Sequence, residues 1–196
     1  MNPINTRDLL KPENMIRLYA QGAFPMANEY DEINWYLPNT RAIIPLDNYN
    51  YPRSLRKFIE ESQLQYRFDS DPGTVIRQCA DRDETWISEE LINAYEGLMD
   101  YDFIHSVEVF EKEEMIGGLF GIAIGGAFFG ESMFSKKSQA SKAALITLIE
   151  RLIRKNFALL DVQVMTDHLR MFGAVEISFA EFQELLEKAY SRNTEF

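Results

Sequence analysis

Two polar residues interrupt an apolar run late in the 196-residue chain: Asp161 and Gln163, in LLDVQVM. Residues two apart on a strand share a face, so a carboxylate and an amide stand side by side while Leu160, Val162 and Val164 turn the other way. Such a pair is costly to bury without partners. It is either a structural hydrogen-bond network at a sheet edge or a polar pair facing a reaction pocket, able to take or pass a proton. Glu131 poses a similar question within FFGESMF. One reading is a bulge or edge residue turned to water, the other a negative charge in a cleft that suits a basic group.

Charge supplies the next set of candidates. The net charge is −11, which argues against a nucleic-acid partner because phosphate affinity comes from Lys and Arg. Yet Lys136, Lys137, Lys142, Arg151, Arg154 and Lys155 share one window with a single acid, Glu150, and that window alone is +5. It reads either as a solvated helix face or as a local basic patch that orients a polyanion on one side.

Other chemistries find little support. GGLFGIAIGG lacks the Lys-Ser/Thr ending of a P-loop and does not run from strand into helix. It also lacks the turn with which acyl-CoA N-acetyltransferases hold pyrophosphate. His105 and His168 have no ligand spacing around them, and no G-x-S-x-G elbow anchors a hydrolase triad. The single cysteine, Cys79, excludes an internal disulfide. With no secretory signal and no apolar stretch fit to cross a membrane, the expected location is the cytoplasm.

The elements that must position these residues follow from periodicity and punctuation. Pro12 and Gly22 bracket a helix over Glu13–Gln21, and a short strand is expected near Arg41–Ile44. Leu55, Phe58 and Ile59 repeat at helical spacing, whereas Leu64, Tyr66 and Phe68 alternate. Helices are expected over Pro72–Asp81 and after the cap Ser88. Strands follow over His105–Glu111, Met115–Ile124 and Ala127–Ser135, the last two joined by a Gly125-Gly126 hairpin. A long helix capped by Ser138 carries the stripe Ala140, Ala144, Leu145, Leu148, Ile149, Leu152 and Ile153. Then come a strand over Ala158–Met165, a short helix ending at Gly173 and a helix opened by the capping box Ser178–Glu181. The order predicts an α+β fold: an antiparallel sheet whose last strand enters by a helical crossover, with a small portion over 1–60 and a larger domain over 61–196.

Taken together, YAQGAFPM, INWYLPNTRAIIPL, ADRDETWI, HSVEVFEKEEMIGGLFGIAIG, FFGESMFSKKSQASKAAL, LLDVQV and HLRMFGAVEI resemble the bacterial leucyl/phenylalanyl-tRNA–protein transferase family. The match covers most of the chain in order. It departs at Val162, where the family more often has Cys, and at Met171-Phe172, where Ser-Leu is usual. The resemblance implies an N-acetyltransferase-like mixed sheet with flanking helices plus a small N-terminal domain. It also implies a monomer that needs neither cofactor nor metal, because the ester to the tRNA ribose is already activated. The implied reaction moves Leu or Phe from aminoacyl-tRNA to the N-terminal α-amine of proteins beginning with Lys or Arg, marking them for degradation.

By position, the resemblance makes Asp161 and Gln163 the catalytic pair, with Asp161 polarising the Gln163 amide, and Glu131 the acid of the substrate cleft. Leu119, Phe128, Leu148 and Leu160 would line the side-chain pocket, and Trp35 and Trp86 would lie near the terminal adenosine. The six cations from Lys136 to Lys155 would contact tRNA. Two other readings are an acyl-CoA-dependent N-acyltransferase and a non-catalytic adaptor for basic N-termini.

Overall fold

A computed structural model describes residues 6–196. Helix α1, Pro12–Ala20, begins on a proline and stops before Gly22, whose φ of 87° a side chain would strain. Strands β1, Phe24–Ala27, and β2, Ile33–Tyr36, form a two-stranded antiparallel sheet of their own. Next are β3, Thr40–Ile43, α2, Arg53–Glu61, and β4, Leu64–Phe68. Asp71 accepts from the Thr74 N–H to cap α3, Pro72–Ala80, and Ser88 accepts from Leu91 N–H to cap α4, Glu89–Met99.

Strands β5, Ile104–Glu111, β6, Glu114–Ile124, and β7, Ala127–Ser135, form a meander. The crossover helix α5, Ala140–Arg154, leads to β8, Leu159–Gln163. The chain then runs through α6, Asp167–Arg170, β9, Val175–Ser178, and α7, Phe179–Tyr190, which the expected Ser178–Glu181 capping box opens. The large sheet has the order β4-β5-β6-β7-β8-β3-β9, antiparallel except where β8 joins β7 in parallel. This is the mixed α+β arrangement expected from the helical crossover. Strand β3 is inserted between β8 and β9, although it precedes residue 60 in sequence.

Alternation sends neighbouring residues to opposite sides of the sheet. Phe120 and Phe129 join a core with Tyr19, Val75, Leu91 and Tyr95. Leu119 and Phe128 join a second core with Leu145, Leu148 and Leu160 under α5. Gly121 permits both: a Cβ there would lie 2.3 Å from Phe129 O and 2.4 Å from the Phe128 ring.

Two expected details differ. The cap of α5 is Gln139, held at φ 71° without a side-chain bond, while Ser135 Oγ accepts from Ser141 N–H at 3.3 Å. The hydroxyl at the end of β7 thus does the work expected of Ser138. Strand β8 stops at Gln163 rather than Met165, because Gln163 adopts φ 55° and the chain turns, Val164 N–H donating to Val162 O at 2.7 Å.

Candidate active site

The parallel ladder between β7 and β8 runs through Ala127/Leu159, Phe128/Leu160 and Phe129/Asp161, and ends there. Both strands then lose their regular register. On β7, Ser132 pairs with Phe120 and Gly130 with Gly121, leaving Glu131 as an extra residue. On β8, Ile43 pairs with Asp161 and Ala42 with Gln163, leaving Val162 extra. Bulges bend strands and re-aim side chains. A cavity of about 430 Å³ occupies the gap, with Gly130, Glu131, Val162 and Gln163 on its two strand walls. Leu119, Leu145, Leu148 and Leu160 make its apolar wall, and Phe24, Met26 and Trp86 stand in another.

One line of hydrogen bonds reaches this cavity from the interior. Arg41 and Asp161 are fully buried, with Nε donating to Oδ1 at 2.8 Å and Nη2 to Oδ2 at 2.5 Å. Arg41 Nη1 donates to Gly22 O at 2.7 Å, and its guanidinium carbon lies 4.7 Å from the Phe24 ring centre and 4.8 Å from that of Phe182. Asp161 Oδ1 also accepts from the main-chain N–H of Gln163 at 2.9 Å. That bond holds Gln163 in its left-handed conformation, which ordinary side chains disfavour. The Gln163 side chain turns elsewhere, Nε2 donating to Glu131 Oε1 at 3.1 Å. Glu131 Oε2 accepts from Tyr95 Oη at 2.9 Å, and the Tyr95 and Tyr19 hydroxyls lie 3.1 Å apart.

Electrostatics follow from this enclosure. Burial pushes the Glu131 carboxyl up to about 8; the Tyr95 and Tyr19 hydroxyls oppose the shift, the Asp161 charge adds to it and Arg41 offsets part of it. Burial likewise drives both tyrosines well above their ordinary range, with the Glu131 charge adding to it, so they remain donors.

Of the residues singled out in the sequence, Glu131, Gln163, Leu119, Leu148, Leu160 and Trp86 line the cavity. Asp161 sits behind it, bonded to Arg41. Phe128 is fully buried and stacks on Phe196 at 5.4 Å, outside the wall. Trp35 packs edge-on against Tyr19 at 5.6 Å, and Met26 takes the wall position nearby. Tyr19, Tyr95 and Arg41 were not among the sequence candidates. Each lies in an apolar stripe or strand that reads as core, and only the long-range contacts reveal it. His168 also lines the cavity; burial lowers its pKa, with the Lys142 charge acting in the same sense.

The basic window does not form one patch. Lys136, Lys137 and Lys142 lie at the start of α5, with Lys137 paired to Glu111. Arg151, Arg154 and Lys155 lie around its last turn, roughly 20 Å along the helix axis. Arg151 is committed to packing, its guanidinium carbon 4.0 Å from the Phe68 ring centre and 4.6 Å from that of Phe196. Helix α2, which packs on α5, adds exposed Arg53, Arg56 and Lys57. Among the described residues, no group of three or more His, Cys, Asp or Glu is arranged to hold a metal ion, and no helix is long and apolar enough to cross a membrane.

Comparison with known proteins adds an independent finding. Residues 43–187 match the family model described as leucyl/phenylalanyl-tRNA protein transferase, and residues 8–39 match the model of that protein's N-terminal domain. The leucyl/phenylalanyl-tRNA–protein transferase of Rubrobacter xylanophilus is 46% identical over 92% of this chain and 95% of its own length. Those of Paramagnetospirillum magneticum and Herpetosiphon aurantiacus are 44% and 46% identical, covering 100% and 95% of this chain and 94% and 98% of theirs.

Proposed function

The chain belongs to the leucyl/phenylalanyl-tRNA protein transferase family, and we propose that the cavity between β7 and β8 is where it moves leucine or phenylalanine from tRNA to a protein's N-terminal α-amine. The observation that carries this assignment is the bonded line Tyr95–Glu131–Gln163–Asp161–Arg41, which delivers one carboxylate and one amide to a mostly apolar pocket. The pocket's volume falls in the range of small-molecule sites. Leu119, Leu148 and Leu160 supply the apolar surface for the transferred side chain.

The chemistry needs two protons moved, because an ammonium nitrogen with three hydrogens becomes an amide nitrogen with one. The acceptor arrives as an ammonium and must lose a proton before its lone pair reaches the ester carbon. Glu131, its pKa raised to about 8, holds a proton in most molecules at neutral pH; the ionised fraction, about a tenth at pH 7, takes the amine's proton as a far stronger base than an ordinary carboxylate. The C–N bond forms, the C–O bond to the ribose breaks, and a second proton passes from the attached nitrogen to the departing 3′ oxygen, which leaves as a hydroxyl. Glu131 releases the first proton to solvent and returns to its carboxylate form. Gln163, anchored to Glu131 through Nε2, has its Oε1 to accept an N–H of the incoming amine. An amide is a poor base, so its contribution is orientation. Asp161 acts through the main chain, fixing the turn that aims Gln163.

The finer assignments belong to the same proposal. The fold is N-acetyltransferase-like, with the β7-α5-β8 crossover at its centre, and of the small portion over the first 60 residues only the part before β3 stands apart, since β3 belongs to the large sheet. Trp86 meets the terminal adenosine from the pocket wall, while Trp35 and Phe128 brace the wall from behind. Lys136, Lys137 and Lys142 face the 3′ end of the tRNA, and Arg154 and Lys155 face a more distant part, with Arg151 behind them on the Phe68 and Phe196 rings. Acceptors begin with Lys or Arg, and the product is a degradation signal. The test is transfer of labelled Leu or Phe from charged tRNA to a protein with N-terminal Arg. Absence of transfer to any N-terminus would refute the assignment.

A further inference from the structure

The main pocket does not end at Ser132. A second cavity of about 420 Å³ adjoins it, and Arg82, Met133 and Ser141 stand in the walls of both. Asp81, Ser135 and Lys136 also line this second cavity, so two cations and two hydroxyls face one carboxylate. We propose that this groove seats the phosphodiester on the 5′ side of the donor's terminal nucleoside, with Arg82 as its principal ligand. The inference rests on the transferase reading of the main pocket.

Arg82 is held in place. Its Nη2 donates to Ser132 Oγ at 2.9 Å and to Met133 O at 2.6 Å. Both acceptors follow Glu131 directly on β7, so the guanidinium is fixed to the strand that carries the reacting carboxylate. The Nε and Nη1 hydrogens lie outside those two bonds, and a guanidinium offers such donors to phosphate oxygens in a planar fork. Among the described residues lining the main pocket, Arg82 is the only Lys or Arg.

Charge decides which substrate can use the groove. The acceptor approaches as a cation, and Arg82 and Lys136 repel it. The donor carries a phosphate one nucleoside away from its reacting ester. A protein of net charge −11 repels a polyanion except where fixed cations reverse the local field. Trp86, four residues beyond Arg82, stands in the same pocket wall. One segment of chain therefore presents an aromatic face for a base and a guanidinium for its phosphate.

The test uses unreactive donors: 3′-leucylamino-3′-deoxyadenosine with and without a 5′-phosphate, their binding measured by calorimetry. For the native protein, the phosphate is expected to tighten binding about 10- to 100-fold. In Arg82→Ala that preference should fall below about threefold, and Arg82→Lys should retain an intermediate part of it, because a point charge replaces the fork. Equal binding of both analogues by the native protein overturns the subsite alone. So does an Arg82→Ala protein that keeps the preference, or one that loses affinity equally for both analogues, since Arg82 would then only brace β7. Failure of the native protein to bind either analogue overturns the subsite and the transferase reading together.

Discussion

Asp161 and Arg41 allow the structural and chemical roles of one residue to be separated. Each is fully buried, and each is the other's counter-charge. Replacing Asp161 by Asn leaves the guanidinium in the core without it. Breaking a buried pair in this way costs about 3–5 kcal/mol, and for a protein of this size that corresponds to roughly 6–20 °C in melting temperature. Replacing both members, Arg41→Met with Asp161→Leu, removes the stranded charge and fills the space with apolar groups. Such exchanges are often neutral. Two backbone groups lose partners, Gly22 O its donor and the Gln163 N–H its acceptor, each at a cost of about 1–3 kcal/mol if no other group or water reaches it. Where water reaches those two groups, the double variant should melt above Asp161→Asn. Its transfer rate should stay low, because the Gln163 N–H has lost the carboxylate that holds its left-handed turn. Thermal unfolding and single-turnover transfer on the same samples provide both readouts. A single variant that melts within about 2 °C of the native protein, or a double variant that transfers at the native rate, would refute the reasoning.

Glu131→Gln should slow transfer about 10²- to 10⁴-fold at saturating donor, as loss of a positioned proton acceptor does; a smaller loss would place the proton elsewhere. Its stability should also respond to pH. The folded carboxyl keeps its proton up to about 8, whereas the unfolded one loses it near the ordinary value of 4.5. The folded state thus binds more protons between these values, and native stability falls as pH rises through that window. The Gln variant lacks this contribution, so it should gain melting temperature relative to the native protein between pH 5 and pH 9; a constant difference would contradict the shift. Leu148→Phe narrows the apolar wall and should lower kcat/KM for a phenylalanyl donor about tenfold more than for a leucyl donor. An unchanged ratio would remove Leu148 from the pocket. Phe196→Ala empties the aromatic box of Phe68, His105, Phe128 and Phe157 and should cost about 1–3 kcal/mol in denaturant unfolding. A loss within error would make that box incidental.

Much of the fold is legible because its signals are local. Alternation marks the strands, Gly125-Gly126 the hairpin, and Ser178 with Glu181 the last helix. Glu131, Asp161 and Gln163 stand out because polar groups in apolar strands are anomalous wherever they point. Tyr95 does not, since it occupies the buried stripe of α4 like any core aromatic. Arg41 is opaque for another reason: its partner lies 120 residues away. The bulges at Glu131 and Val162 depend on pairing with neighbouring strands, so no spacing within either strand announces them. The basic window misleads through length. Sequence proximity suggests a patch, and a helix of 15 residues pulls its ends apart.

The position of β3 bears on how this protein leaves the ribosome. Residues 40–43 emerge early, yet both of their hydrogen-bonding neighbours, β8 and β9, lie between residues 159 and 178. Arg41 waits as long for Asp161, and longer still for the Phe182 ring. Pairings of such sequence separation are slow to close. An early segment therefore stays without its partners for most of translation, exposed to chaperones. A nascent chain halted before residue 159 has β3 unpaired and Arg41 without its counter-ion, so the catalytic centre appears only after β8 and β9 have been made.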